Sequence, residues 1–407
     1  MSFQQGLSGL NAASKNLDVI GNNVANANTV GFKQSQTQFA DMFANSLSGS
    51  GGSQAGIGIK VAGISQQFSQ GSVTASSNPL DIAINGAGFY RLSDQGVISY
   101  SRNGQFHSDK DGYIVSTNGL HLTGYLANAA GQINTAAPVD LRISKADLPP
   151  TSTGQVTALV NLDARETALS PAAFNPTDPT TYHRSTSVPI YDSLGNPSTL
   201  STYFLKTAAN TWDVFASNDG TLLNGGASVG TLNFLPSGAL DPLSPSTFSL
   251  TAPITTGAVS PLTFNLDFAG TTQFGSAFGV NALSQDGYAS GQLTGFSVGD
   301  DGVIHGNYSS GKLLTLGQVA LATFANAQGL EARGDNTWKE SSASGTAIVG
   351  TPGTGGMGVL QSGAVEDSNV ELTAELVNMI TAQRVYQANA QTIKTQDQLL
   401  QTMVNLK

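Results

Sequence analysis

The feature that most constrains this chain is its C-terminal segment. Residues 369–407 contain neither glycine nor proline, although the whole chain has 47 glycines and 15 prolines. Ser368 and Glu371 have the spacing of a capping box, in which each side chain hydrogen-bonds a free amide at a helix start. Apolar side chains then recur at heptad spacing, interrupted at Gln383 and Asp397; they are Leu372, Leu376, Met379, Tyr386, Ala390, Ile393, Leu400 and Val404. This spacing predicts one helix on the order of 55 Å long, too long for one small domain to cover.

The N-terminal segment has a weaker form of the same pattern. Its heptad positions hold Phe3, Leu7, Leu10, Leu17 and Val24, with Ser14 and Gly21 in the two remaining positions. The stretch that follows, NNVANANTVGFKQ (residues 22–34), contains four asparagines and a glycine, which favour turns over a continuing helix. We therefore predict two long terminal helices that pair in a coiled-coil-like inner domain.

Two interpretations of the terminal helices remain open. In the first, they form an intramolecular helical hairpin packed on the rest of the chain. In the second, each helix also finds heptad partners in neighbouring copies of the chain. Because a helix rich in Ser, Asn and Gly is marginal in isolation, we hypothesise that both ends are largely disordered in the monomer and fold on assembly.

The region between the helices has the pattern of β-structure. Residues 80–84 alternate as a half-buried strand does, and the dipeptides Asn103-Gly104, Asp111-Gly112 and Asn118-Gly119 separate short strand-like runs. Asn-Gly and Asp-Gly supply the positive φ angles of tight hairpins, which predicts a meander. Residues from about 145 to 284 are richer in Thr, Ser and Pro, with strands predicted at 187–191, 199–206 and 211–216, and they indicate a separate inserted β domain.

The order helix, β, different β, β, helix predicts a multidomain, mainly-β chain with nested, discontinuous domains. Residues 1–30 and 365–407 would form the helical domain, and residues 31–72 a connecting segment with a surface loop at 46–53. Residues 73–145 and 285–364 would form a discontinuous β domain, and residues 146–284 the inserted outer β domain.

Charge and composition restrict the function. Charged residues make up 11% of the chain and the formal net charge is −10, without a Lys/Arg cluster, so we expect no nucleic-acid partner. Such a weakly charged surface is typical either of a protein covered by other subunits or of a β-rich extracellular protein with Ser/Thr loops. No stretch is long and apolar enough to predict membrane insertion. The first residues lack the basic and apolar regions of a cleavable signal peptide, so we expect any export to use a route without one.

No catalytic or cofactor site is predicted. The four histidines are dispersed, and the chain has no cysteine. The segment 107–118 partly resembles a calcium loop, but it has His107 in the first ligand position and Asn118 in place of the bidentate Glu, so a hairpin turn explains it better. Residues 56–63 are glycine-rich without a phosphate-loop pattern and are interpreted as a β segment. We therefore predict no enzyme, no metal and no cofactor.

Residues 20–33, IGNNVANANTVGFK, resemble a signature of the flagellar axial proteins, the family of rod and hook subunits. The matching residues are Asn23, Val24, Ala25, Asn26, Asn28, Thr29, Gly31 and Phe32. The segments 78–90, 101–125 and 372–406 are similar to the β-domain blocks and C-terminal helix of that family. The segment 188–204, VPIYDSLGNPSTLSTYF, resembles a block of the hook subunits that the shorter rod proteins lack. Residues 217–280 resemble nothing we can name.

The resemblance implies a structural subunit of the bacterial flagellar hook, a helical homopolymer that couples rod to filament as a universal joint. It implies the flagellar distal rod, hook cap and hook-filament junction proteins as partners. It also implies passage through the type III export apparatus and an extracellular position at the basal body and hook. The alternatives are a distal-rod subunit of the same family and, from another class, an adhesin or phage-tail protein.

Overall fold

The structure, a computed structural model, describes residues 2–42, 56–128, 131–144 and 146–405. The predicted loop at 46–53 lies outside these residues. The chain folds into two compact units. Unit 1 comprises Met1–Ser144, Gly295–Gly306 and Leu313–Lys407, and unit 2 comprises Lys145–Thr294 and Asn307–Lys312. The mainly-β fold with terminal helices is confirmed.

Both long helices belong to unit 1. Helix α1 spans Ser2–Ala25 and helix α2 spans Leu372–Asn405. The capping box predicted at Ser368 does not start α2: the Ser368 hydroxyl accepts a bond from the backbone N–H of Val370, and the helix begins four residues later than Ser368. Next to α1, strands β1 (Ser35–Met42) and β2 (Gly58–Gln66) form an antiparallel hairpin. Strand β2 confirms the β interpretation of residues 56–63.

The remaining strands of unit 1 surround a core of fully buried side chains that includes Ile82, Tyr90, Phe106 and Leu122. An aromatic cluster of Phe68, Phe89, Tyr100, Phe324 and Trp338 lies in the same unit. The strands are Val73–Ala75, Ile82–Asn85, Phe89–Asp94, Val97–Ser101, Phe106–Ser108, Ile114–Ser116, His121–Leu126, Val139–Asp140, Leu313–Val319, Leu321–Thr323, Glu331–Gly334, Thr337–Lys339, Ile348–Gly350, Val359–Ser362 and Ala364–Glu366, with a 3-10 turn at Ala327–Gly329. Strands Leu293–Val298 and Val303–Tyr308 contain residues of both units.

The meander prediction holds for two of its three turns. Gly112 and Gly119 have φ angles of +88° and +78° and lie in turns between strands. Asn103-Gly104 does not form such a turn, because Gly104 has no positive φ and lies against the backbone of Ile82, where any side chain would clash. The segment 107–118 is a hairpin, in which the Asp109 carboxylate accepts bonds from the N–H groups of Asp111 and Tyr113.

Unit 2 contains two five-stranded sheets with one shared apolar core. Strand Gln155–Asp163 is central in the first sheet. The strands predicted at 187–191, 199–206 and 211–216 are present as Arg184–Tyr191, Pro197–Ala208 and Thr211–Asn218, and they form most of the second sheet. Buried side chains from both sheets, such as Val160, Phe204 and Trp212, belong to one cluster. The other strands are Thr221–Leu222, Gly230–Asn233, Thr247–Ala252, Leu262–Asp267, Thr272–Phe274 and Gly279–Gln285, with 3-10 turns at Pro171–Ala173 and Asn224–Gly226.

Candidate functional site

The two terminal helices contact each other through small side chains. A Cβ atom added to Gly6 would lie 3.1 Å from Cγ1 of Ile393, and one added to Gly9 would lie 2.6 Å from Oδ1 of Asn389. Ala13 and Ala382 are also buried. Absence of side chains at these glycines allows the two helix backbones to approach closely.

This contact is not the predicted heptad seam. Among the seam residues, Phe3, Leu7, Leu372, Leu376, Tyr386, Leu400 and Val404 are exposed, whereas Leu10, Leu17, Val24, Met379, Ala390 and Ile393 are half-buried. Only Ile393 of the seam approaches a glycine of the contact on α1. The heptad argument assigned the contact to the faces with the largest apolar residues, but glycine and alanine allow closer packing on another face. The seam as an assembly surface therefore stays a prediction.

The end of α1 is joined to β1 by the side chain of Asn23, which is 1% exposed. Its Nδ2 donates to the carbonyl of Ser35 over 2.8 Å, and its Oδ1 accepts from the N–H of Ser35 over 2.9 Å. The side-chain amide of Asn23 thus bonds both backbone groups of Ser35, as a residue of a neighbouring strand would. This arrangement fixes where the strand starts relative to the helix.

The first turn of α2 contributes a buried carboxylate to the same place. Glu375 is 3% exposed, and its two oxygens accept bonds from Nε2 of Gln34 (2.6 Å) and Nδ2 of Asn23 (3.3 Å). A negative charge is stabilised at a helix N-terminus by the helix dipole. Glu375 makes no ion pair among the residues that the structure describes.

The turn after α1 depends on Gly31, whose φ is +71°. Its N–H donates to the carbonyl of Glu366, and an added Cβ would lie 2.5 Å from the backbone nitrogen of Asn103. Both the backbone angle and the close approach therefore require glycine here. The preceding residues form the turn itself, since Asn26 donates to the carbonyl of Asn22 and Thr29 donates to the side chain of Asn26.

The other two residues of the signature have fewer contacts. Asn28 is exposed and Phe32 is half-buried. The backbone N–H of Phe32 donates to the carbonyl of Thr29, which extends the turn by one bond.

A buried ionic cluster holds the chain where it leaves the turn. The Lys33 ammonium, 1% exposed, donates to Oε1 of Glu366 (2.6 Å) and to the carbonyl of Ser69 (2.7 Å). Nε of Arg102 lies 2.9 Å from Oε2 of Glu366, an ion pair outside hydrogen-bonding geometry. The Nη1 group of Arg102 donates to the carbonyl of Gly88. Burial lowers the pKa of Lys33, an effect that Glu366 opposes and Arg102 reinforces.

Sequence reasoning missed Arg102, Glu366 and Glu375, since no spacing signal marks a pair such as Lys33 and Glu366. The sequence gives one indirect signal for these residues. Because only 11% of the chain is charged, each charged residue in or near a segment that resembles the family is a candidate for a specific contact. No group of three or more His, Cys, Asp or Glu residues that could hold a metal occurs in the described part of the chain. Within the same residues, no helix has the length and apolar character needed to cross a membrane.

Comparisons with known proteins match four separate segments of the chain to families. Four family models match: a flagella basal body rod protein (residues 3–33), a flagellar hook protein FlgE/F/G D1 domain (83–158), a flagellar basal body protein FlaE D2 domain (161–288) and a flagellar basal body rod FlgEFG protein C-terminal (361–406). The first and last of these contain the two helices.

Relatives that match over the whole chain are flagellar hook proteins named FlgE. The chain is 43% identical to the flagellar hook protein FlgE of Salmonella typhimurium (strain LT2) and 42% identical to that of Escherichia coli K12, over 100% of both chains in each case. It is 35% identical to the FlgE of Borreliella burgdorferi, over 100% of this chain and 99% of the relative. The crystal structure of Helicobacter pylori flagellar hook protein FlgE2 has a similar fold, with a TM-score of 0.53 at 15% identity, over 71% of this chain and 99% of that one.

Proposed function

Because this chain belongs to the flagellar hook protein family, and is therefore a structural subunit that self-polymerises in the flagellar axial structure, we propose that its polymer is a curved, flexible tube. The tube would transmit torque from rod to filament as a universal joint. The observation that carries this proposal is the exposure of seven seam residues, which are Phe3 and Leu7 on α1 and Leu372, Leu376, Tyr386, Leu400 and Val404 on α2.

Exposed apolar rows of this kind are unfavourable in an isolated chain. Phe3 and Leu7 of α1, and Leu372 and Leu376 of α2, are each about 45% exposed, which is high for large apolar side chains. Contiguous apolar surface is typical of an interaction site. Helices from adjacent subunits would cover these rows by knobs-into-holes packing and form a stiff inner tube.

The outer β domains would supply compliance. Charged residues make up only 11% of the chain, and weak polar contacts re-form at small free-energy differences when subunits shift. Should a tight apolar patch on the outer-domain surface leave hook bending and swimming unchanged, this part of the proposal fails.

We further propose the flagellar distal rod, hook cap and hook-filament junction proteins as partners, and export through the type III apparatus without a cleaved signal peptide. Helix α1 supports retention of the N-terminal segment, because its Gly6 and Gly9 pack against α2 and form part of the fold. Intact-mass measurement on the polymer tests this: loss of the first residues would contradict it. Neither catalysis nor nucleic-acid binding is part of the proposed role.

The decisive experiment is electron microscopy of a strain from which the gene is deleted. We expect hookless basal bodies and loss of swimming, both restored by the intact chain. Polymers of the chain should be curved. Straight, rigid polymers would favour the distal-rod alternative, and loss of host binding with motility retained would favour an adhesin.

A further inference from the structure

The chain contains four Asn-Gly sequences, which begin at Asn85, Asn103, Asn118 and Asn224. An asparagine before glycine can lose its side-chain amide without an enzyme, because glycine has no side chain that shields its backbone nitrogen. That nitrogen, once deprotonated, attacks the asparagine Cγ: the new N–Cγ bond closes a succinimide ring, and Nδ2 leaves as ammonia. Water then opens the ring at either carbonyl, so that aspartate or isoaspartate replaces the asparagine. The reaction therefore requires an exposed, unbonded glycine N–H and a backbone that can rotate into the attack geometry.

Asn85 is restrained on both sides of its peptide bond. It is the last residue of its strand and is paired with Val359. The N–H of Gly86, which would have to attack, donates to Oε1 of Gln70 over 3.0 Å. The carbonyl of Gly86 accepts two bonds from Arg102. Neither the attacking nitrogen nor the backbone around it is free.

Asn103 is restrained by burial of its neighbour. Gly104 is buried, and a side chain added to it would clash with the carbonyl of Ile82. Oδ1 of Asn103 accepts a bond from the N–H of Gln105 over 3.0 Å. The backbone here has no space to rotate, and burial keeps water away from the Gly104 nitrogen.

Asn118 has one restraint. Asn118 and Gly119 are exposed in a hairpin turn. The N–H of Gly119 donates to the carbonyl of Ser116 over 2.9 Å. This bond has to break before the nitrogen can react.

Asn224 differs from the other three at the attacking nitrogen. Asn224 and Gly225 are exposed, and nothing lies within 4 Å of a Cβ atom added to Gly225. Among the residues that the structure describes, the Gly225 N–H has no hydrogen-bond partner. Gly226 follows, and two consecutive glycines give the backbone freedom to rotate. Nδ2 of Asn224 donates to the carbonyl of Ser228 over 2.8 Å, an exposed bond that water can replace.

We propose that Asn224 is the preferred site of spontaneous deamidation in the folded chain, with water as the co-reactant. The product carries an additional negative charge and has no side-chain donor, so the bond to the Ser228 carbonyl is lost. The N–H groups of Leu223 and Val229 bond carbonyls of strand Thr211–Asn218 on either side of the turn. The change is therefore confined to residues 224–228. This inference does not depend on the proposed function.

Peptide mapping of the aged, unmodified chain tests the site. The full chain is incubated in mildly alkaline buffer, once folded and once unfolded in concentrated guanidinium chloride. Mass spectrometry follows the conversion of each asparagine, and chromatography separates the aspartate and isoaspartate peptides. In the folded chain, Asn224 should react about threefold or more faster than Asn118, because one hydrogen bond restrains the Gly119 nitrogen.

Asn85 and Asn103 should react about tenfold or more slowly than Asn224 in the folded chain, since several contacts have to open at each. In the unfolded chain all four should react at similar rates, because each then exposes the same dipeptide. Equal rates in the folded chain would overturn the proposal. A preference for Asn224 in both states would assign it to the local sequence and would overturn it as well.

Ammonia release gives an independent measurement. Glutamine forms the corresponding larger ring much more slowly, so the folded Asn224→Gln variant should release less than about half the ammonia of the unmodified chain, as the rates expected at the other three sites imply. Asn103→Gln is the matched comparison and should leave ammonia release nearly unchanged. Unaltered release from Asn224→Gln would contradict the proposal.

Discussion

At Gly31 a single backbone angle determines the direction in which the chain continues after helix α1. Its φ of +71° lies in the left-handed region, which β-branched residues avoid, and the neighbouring backbone of Asn103 leaves no room for a side chain. The asparagines before it supply local hydrogen bonds that end the helix. The signature is therefore a joint between helix and β-structure.

We expect Gly31→Val to impair polymerisation while the β domains stay folded. The strained angle costs about 1–3 kcal/mol, and displacement of Asn103 adds to it. Sedimentation measures polymer formation, and near-ultraviolet circular dichroism reports the packing of the β domains. Gly63→Ala is the control, because nothing lies within 4 Å of its added Cβ. Normal polymers from Gly31→Val would contradict the requirement for a positive φ.

The buried cluster of Lys33, Glu366 and Arg102 leads to a second prediction at this scale. Glu366→Gln leaves two buried cations without their carboxylate, which we expect to cost about 3–5 kcal/mol of unfolding free energy at pH 7. The exposed pair of Lys15 and Asp18 provides the control: Asp18→Asn should change stability by less than about 1 kcal/mol.

The free energy of unfolding of the Glu366→Gln variant should also depend on pH. Burial already lowers the pKa of Lys33, and loss of Glu366 removes the effect that raises it. The unfolded chain then binds more protons than the folded one between the lowered pKa and the ordinary value near 10.5, so stability rises with pH there. Urea unfolding from pH 7 to 10 should show a steeper rise than in the unmodified chain. A flat or falling profile would contradict this.

At the scale of elements, α1 and α2 contact each other away from most of the heptad seam, because the closest approach of two helices occurs where one of them has glycine. Gly6 and Gly9 let α1 approach Ile393 and Asn389. Seven residues of the seam, Phe3 and Leu7 among them, remain exposed. Periodicity identifies a helix and its apolar rows, but which row meets a neighbour depends on shape. The proposed use of the exposed seam residues by other copies would give each helix a second contact face.

Limited trypsin digestion tests whether the ends are ordered before assembly. If both ends are disordered in the monomer, Lys15, Lys33, Arg384 and Lys394 should all be cut in the monomer and protected in the polymer. Lys33 is the most informative site, since it is 1% exposed in the folded chain. Cleavage at exposed Lys15 and Arg384 with Lys33 intact would limit the disorder to the helices. A monomer in which all four sites survive would refute the hypothesis.

At the scale of the whole molecule, two compact units imply two separable unfolding steps. Asp192 reports on unit 2: burial would raise its pKa, but bonds from Thr256, Asn196 and the N–H of Leu194 outweigh that and lower it to about 2. Its contribution to stability is thus present above its unfolded pKa near 4 and is lost as the pH falls towards 2.

Calorimetry should therefore resolve a separate unfolding transition for each of the two units. We expect Asp192→Ala to lower one transition by several degrees at pH 7, from a loss of about 1–3 kcal/mol, with a smaller effect near pH 3. Glu366→Gln should lower the other transition only. A single transition shifted equally by both variants would show that the units unfold together.

The sequence by itself determined the terminal helices, the β character between them, the hairpin turns at Gly112 and Gly119, and the family. These depend on local periodicity and on residues with special backbone angles, which neighbours in the chain specify. Only the tertiary structure decided which helix faces meet, that Lys33 pairs with Glu366 across 333 residues, and that Glu375 accepts bonds from Gln34 and Asn23. Such contacts join residues far apart in sequence, and their geometry arises from packing and shared exclusion of water, which no local spacing encodes.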